Sequence, residues 1–233
     1  MHGWQHPSMP RHLLLSTPPA YTGDVSDTSV IIPRSVQDRL VAAATDLFAV
    51  RGYHATRVSD IVRQAGVAQG TFYLYFAHKE ALFVHLVDAF FAGVLATTLG
   101  TYRPETALTP GDVLTQARTI WRTTLTRCRD ERALVSLILR EATGLGPAVT
   151  AHVQANQQRV VDGLAAFVAQ GSASGLLRPV DPQFAGWVIL GMLERAVFYA
   201  VVSRDGADLD RLADDLAVLE LRGLLADGGA PAP

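Results

Sequence analysis

The stretch DIVRQAGVAQGTFYLYF, residues 60–76, decides the fold. Ile61, Val62 and Ala65 recur at helical spacing and stop at Gly66, and a second, shorter helical pattern runs from about Gln69 to Phe76. Two short helices hinged on one glycine make a compact corner. The second helix places Gln69, Gly70, Thr71, Tyr73 and Tyr75 where a buried helix would carry aliphatic residues. Such a face is built to touch something outside the protein.

Working outward, Val36, Leu40, Ala43, Ala44, Leu47 and Phe48 recur at three and four and predict a first helix closed by Gly52. Thr56 is placed to cap the second, Arg57 to Ala65. A fourth helix begins near Lys79 and runs to about Leu99. Beyond GTYRPETALTPG, longer helical patterns cover roughly 111–128, 130–143, 147–171, 182–203 and 208–226, separated by GLGP, GSASGLLRPVDP and RDGADL. No run alternates long enough to demand a sheet, so the expected class is all-α. The expected organisation is a disordered arm at 1–33, a small helical domain at 34–95 with its corner at 57–76, a larger helical domain at 96–226 and a disordered tail at 227–233.

A hydrophobic fraction of 49% over 233 residues is ample for a large core. The single cysteine, Cys128, excludes an intrachain disulfide framework and fits a reducing, cytoplasmic setting. No Cys/His cluster has ligand spacing, so neither a metal nor a cofactor is expected. The first twenty residues lack the long apolar run of a secretory signal. Phe184 to Val202 approaches membrane length, but Glu194 and Arg195 sit at its middle and no second span is expected, so it reads as a protein-covered helix and no membrane partner is implied. The net charge of −2 hides a local imbalance: Arg34, Arg39, Arg51, Arg57, Arg63 and Lys79 face only Asp38, Asp46 and Asp60 over the same segment.

A helix-turn-helix unit needs one helix lying across a nucleic-acid backbone and a second entering the major groove, joined by a short turn that often holds glycine. Arg57 to Phe76 supplies this, with Ile61, Val67 and Phe72 as the small shared core. The run GYHATRVSDIVRQAGVAQGTFYLYFAHKEALF is more specific still, and resembles the DNA-binding domain of TetR-family transcriptional regulators over Val36 to Leu95. It departs from that pattern at Ala68, where a capping serine is usual, at Gln69, usually basic, at Val62, usually alanine, and at His78, usually serine.

The resemblance and the side-chain chemistry assign roles together. Tyr73, Tyr75 and Lys79 are expected on phosphate oxygens of double-stranded operator DNA, with Thr56 divided between capping and phosphate contact. Gln69 can bond bidentately to adenine, and Thr71 or Leu74 can meet a thymine methyl. Arg57, Ser59 and Gly70 complete the expected DNA surface.

The larger domain carries no comparable motif. Trp121, Phe167 and Trp187 are the aromatic residues expected to line any ligand cavity. The apolar helix bearing Phe184 and Trp187, and the Leu209, Leu212, Leu216 and Leu219 stripe of the last helix, are expected to pair with their copies in a homodimer, as the resemblance implies. The resemblance also implies repression of transcription relieved by a small apolar effector. An alternative is a DNA-binding dimer whose second domain receives a protein or only dimerises. A helical enzyme has little support, because no nucleophile with a base, paired carboxylates or phosphate-binding glycine loop falls at useful spacing.

Overall fold

A computed structural model describes residues 35–103, 106–204 and 206–224; the expected arm and tail lie outside the described residues. The corner is built by local signals. Helix α1, Val36–Arg51, starts in a capping box: Ser35 Oγ accepts the Asp38 N–H and the Asp38 carboxylate accepts the Ser35 N–H, both at 3.1 Å. Helix α2, Val58–Ala65, ends at Gly66, whose φ of 65° and ψ of 41° are the left-handed values that a side chain resists. Helix α3, Gln69–Tyr75, follows after two residues. Helix α4, Lys79–Thr101, begins at His78, whose Nδ1 accepts the Ala81 N–H at 3.0 Å and so replaces the usual hydroxyl cap.

Leu40 and Phe48 of α1, Ile61 of α2, Phe72 of α3 and Leu82 and Phe83 of α4 are fully buried together and form the core of this head. Val67, expected beside Ile61 and Phe72, is only partly buried and packs at the margin. Phe48, Tyr53 and Phe83 close the core as an aromatic trio, with centroids 5.3 to 6.1 Å apart.

The rest is a helical bundle: α5, Pro110–Asp130; α6, Arg132–Glu141; α7, Pro147–Ala173; α8, Pro182–Val197, prolonged by a π-helical turn at Phe198–Ser203; and α9, Leu209–Leu224. Helix α7 packs on α8 and on α4, α5 packs on α9, and α6 lies against α1. No strand occurs among the described residues. Helix α4 is, like α8, long and apolar enough to cross a membrane, which corrects the expectation of a single such segment. Both pack against neighbouring helices of the bundle, and α8 keeps part of its apolar surface exposed.

Candidate functional site

The outer face of α3 meets no other part of the protein. Phe72 is its one fully buried side chain, whereas Gln69, Gly70, Tyr73, Leu74 and Tyr75 are exposed, Leu74 to 82%, and Thr71 is half-buried. A Cβ added at Gly70 would meet nothing within 4 Å. Gly70 has ordinary helical φ, so neither strain nor crowding inside the protein requires glycine there. Glycine within a helix costs about 1 kcal/mol relative to alanine, and here it leaves open space on the outer face of α3. Arg57 and Ser59, at the start of α2, are exposed on the same head. The Ala68 position offers no side-chain cap to α3.

Two expected backbone contacts change role. Thr56 is 1% exposed, and its hydroxyl donates to Gly52 O at 2.9 Å and Leu47 O at 3.3 Å. It ties the α1–α2 loop to the end of α1 and is neither a phosphate ligand nor the cap of α2. Arg57 takes the cap position instead, its N–H held by the Asp60 carboxylate at 3.2 Å. The Lys79 ammonium donates to Tyr53 O at 2.6 Å and Thr56 O at 2.8 Å and lies 4.1 Å from the Tyr53 ring centroid. Partial burial draws its pKa below the ordinary lysine value, with nearby Glu141 opposing. Lys79 is therefore a buckle on the α1–α2 loop, not the free phosphate clamp expected from its place at a helix start. Glu141, at the end of α6, holds the same loop from the other side by accepting the Tyr53 N–H at 2.8 Å.

Inside the bundle, two apolar cavities of about 60 and 50 Å³ share Val160 and Leu193 as a wall. The first is bounded by Tyr102, Trp121, Leu164, Phe167 and Glu220, so Trp121 and Phe167 come together as expected. Tyr102 and Phe167 meet edge to face, with centroids 4.7 Å apart. Trp187 lines neither cavity and is 45% exposed on α8. Glu220 escaped the sequence reading. Its Oε2 accepts the Trp121 indole N–H at 2.6 Å, and burial lifts its carboxyl to about 7 against the pull of that bond. The signal was its register: Leu209, Ala213, Leu216, Ala217 and Leu221 are the buried positions of α9, and Glu220 follows Leu216 by four on that face. The second cavity is bounded by Phe90, Phe91, Cys128, Ile138 and Glu194, whose Oε1 accepts from Gln157 at 2.8 Å. Burial and the Glu131 charge push the Cys128 thiol up to about 12, so it is inert packing.

The expected dimer stripe on α9 is also revised. Leu209 and Leu216 are buried in the protomer's own core, Leu212 is partly buried, and Leu219 is 66% exposed. Ala213 and Ala217 take the contact positions against α5, and the buried face sits one register away from an all-leucine stripe. On α8 the picture is simpler. Phe184, Trp187 and Val188 of α8, three and four residues apart, and Phe198 and Tyr199 of its π-helical extension are exposed apolar side chains.

A helix-turn-helix head on an all-helical body defines the class: a DNA-binding protein with a second, cavity-bearing domain. Comparison with known proteins agrees. Residues 40–86 match the family described as bacterial regulatory proteins, tetR family, and residues 110–198 match the tetracyclin repressor-like C-terminal domain. The uncharacterized HTH-type transcriptional regulator YdgC of Bacillus subtilis is 48% identical over 60 residues, 26% of this chain and 31% of its own length. That match spans about a third of the relative. The HTH-type transcriptional regulator RutR of Escherichia coli K12 is 26% identical over 195 residues, 82% of this chain and 89% of RutR. Among solved structures, the Bacillus subtilis transcriptional regulator FadR in complex with stearoyl-CoA superposes with a TM-score of 0.69 at 21% identity, over 80% of this chain and 98% of that one. The chain belongs to the TetR family of bacterial transcriptional regulators, which are not enzymes.

Proposed function

We propose that the chain is a homodimeric transcriptional repressor that reads a two-fold symmetric operator through α3 and leaves it when a small, largely apolar molecule fills the bundle cavities. It acts in the cytoplasm, where the DNA is. The observation that carries the reading is the face of α3: five exposed residues, one of them a glycine open to solvent, and one buried anchor, on a head otherwise closed around its own core. Tyr73 and Tyr75 donate to phosphate oxygens, Gln69 reads an adenine edge, and Thr71 or Leu74 meets a thymine methyl. Arg57 and Ser59 add backbone contacts from the start of α2. The line from Phe184 to Tyr199 on α8, with Leu219 on α9, supports pairing of two copies, which presents two recognition helices to one side of the duplex.

Selection of bound sequences from random DNA tests this. The wild type is expected to enrich a palindrome, Tyr73→Phe to weaken all sequences alike, and Gln69→Ala to relax one base pair per half-site at a cost of about 1 to 3 kcal/mol. Absence of any enriched sequence, or an unchanged preference in Gln69→Ala, overturns the assignment.

A further inference from the structure

The walls of the two cavities are unusually one-sided in charge. Aliphatic and aromatic side chains make up most of both, hydroxyls of Thr98, Thr124 and Tyr102 contribute to the first, and each cavity holds one carboxylate, Glu220 or Glu194. No lysine, arginine or histidine lines either, among the described residues. The two carboxylates differ in their company. Glu194 accepts from the Gln157 amide. Glu220 accepts the Trp121 indole N–H, and two arginines of α5 are paired with other acids of α9, Arg118 with Asp214 and Arg122 with Asp210. A carboxylate drawn partly out of water with no cation lining its cavity is unfavourable unless something neutralises it. Here burial is relieved by holding a proton near neutrality.

Resting on the effector reading above, we propose that the cavity between α4, α5, α7 and α9 takes an aromatic or aliphatic amine, its ammonium paired with Glu220 and its apolar body lying against Trp121, Phe167 and Leu164. Ligand ammonium and Glu220 carboxylate supply each other's missing counter-charge, and the indole N–H holds the second oxygen in place. Trp121 and Phe167 also offer their faces to a cation entering beside them. A carboxylate or phosphate ligand buried here would instead confront Glu220 and find no basic side chain, an arrangement of like charges in a low-dielectric space. Movement of the shared wall residue Leu193 joins the two cavities and gives the apolar body its length.

Calorimetric titration of the full chain with 4-phenylbutylamine, 4-phenylbutanol, 4-phenylbutanoate and a long-chain acyl-CoA tests this, with DNA affinity measured for each. The amine is expected to bind at least about tenfold more tightly than the butanoate. Glu220→Gln, which mimics the protonated carboxyl, is expected to lower amine affinity at least about tenfold and to leave the alcohol within about twofold. The wild-type series alone tests the charge preference should the variant fold poorly. Tighter binding of the butanoate or acyl-CoA with an altered DNA affinity overturns this inference and leaves the effector reading standing. Amine binding that depends on Glu220 but leaves DNA affinity unchanged upholds the site and overturns the effector reading. No binding by any of the four, or an amine affinity indifferent to Glu220→Gln, overturns the inference.

Discussion

Glu220 shows how one side chain writes itself into solution behaviour. Its carboxyl titrates near 7 in the folded protein and near 4.5 when free of it. Between those values the native state keeps a proton that the unfolded chain has released, so this group makes stability fall as pH rises from about 4.5 to about 7, and the loss is complete above. Around the cavity the side chains facing it are Thr98 and Tyr102 of α4 and its edge, Trp121 and Thr124 of α5, Phe167 of α7 and Leu193 of α8, none of them charged at neutral pH. Glu220→Gln removes this slope and stabilises the protein at pH 8 by up to roughly 3 kcal/mol, with little change at pH 4. Urea denaturation of both proteins across that range measures the difference, and parallel curves would place the titration elsewhere. The sequence could not announce this residue as functional. A glutamate four positions after a buried leucine is ordinary on an amphipathic helix, and only the packing of α5 against α9 draws its carboxyl partly out of water onto Trp121.

At the scale of elements, α3 is the least secure helix in the head and the one with the most exposed work. It is seven residues long, lacks a side-chain cap at Ala68 and carries Gly70 in its first turn. Ala68 has extended backbone, φ −70° and ψ 149°, which suits a hydroxyl cap. Ala68→Ser is expected to raise stability by about 1 kcal/mol, read as a higher denaturation midpoint with unchanged slope. Gly70→Ala is expected to raise it by a similar amount, about 1 kcal/mol, while weakening DNA binding several-fold, because the methyl fills the space left for the duplex. A Gly70→Ala protein that binds DNA as well as the wild type would return the glycine to chance. The helix boundaries of the head were legible in its residues: Gly52, Gly66 and the short α3 are signals that act within a few positions of themselves. The misreadings have a common cause. Lys79 and Thr56 stand at helix starts, where anions and caps are the local expectation, and both were claimed by carbonyls of the loop from Gly52 to Thr56, a tertiary partner that no spacing rule contains. Leu216 and Leu219 belong to one leucine repeat, yet α9 buries the first with Leu209, Ala213, Ala217 and Leu221 and leaves the second in solvent.

For the whole molecule, the informative surface is the line Phe184, Trp187, Val188, Phe198 and Tyr199 on α8 and its π-helical extension. Pairing of two copies along it would remove these apolar side chains from water. Trp187→Glu is expected to give monomers in sedimentation at micromolar concentration, with helicity retained and tight operator binding lost. A charge at Leu216, 8% exposed, would enter the protomer core and report on folding instead of pairing. A single-chain mass for the wild type would remove the dimer and with it the expectation of a palindrome.

Tyr53 gives the molecule a suspension point. Its N–H hangs from Glu141 at the end of α6 and its C=O from Lys79 at the start of α4. A beam carried on two hangers keeps its pitch only while the hangers keep their spacing, and the second cavity sits between the helices that carry them, with Phe90, Phe91 and Val94 on one side and Val135, Ile138 and Leu139 on the other. A wedge that spread α4 from α6 there would pull on Tyr53 and on the α1–α6 contact together, and a resulting tilt of the head would move α3 along an arc rather than straight away from the duplex. Two heads swung this way on a rigid pair of bodies would change the pitch at which they meet the groove, so release would come from lost register with the turn of the double helix, with each α3 still intact.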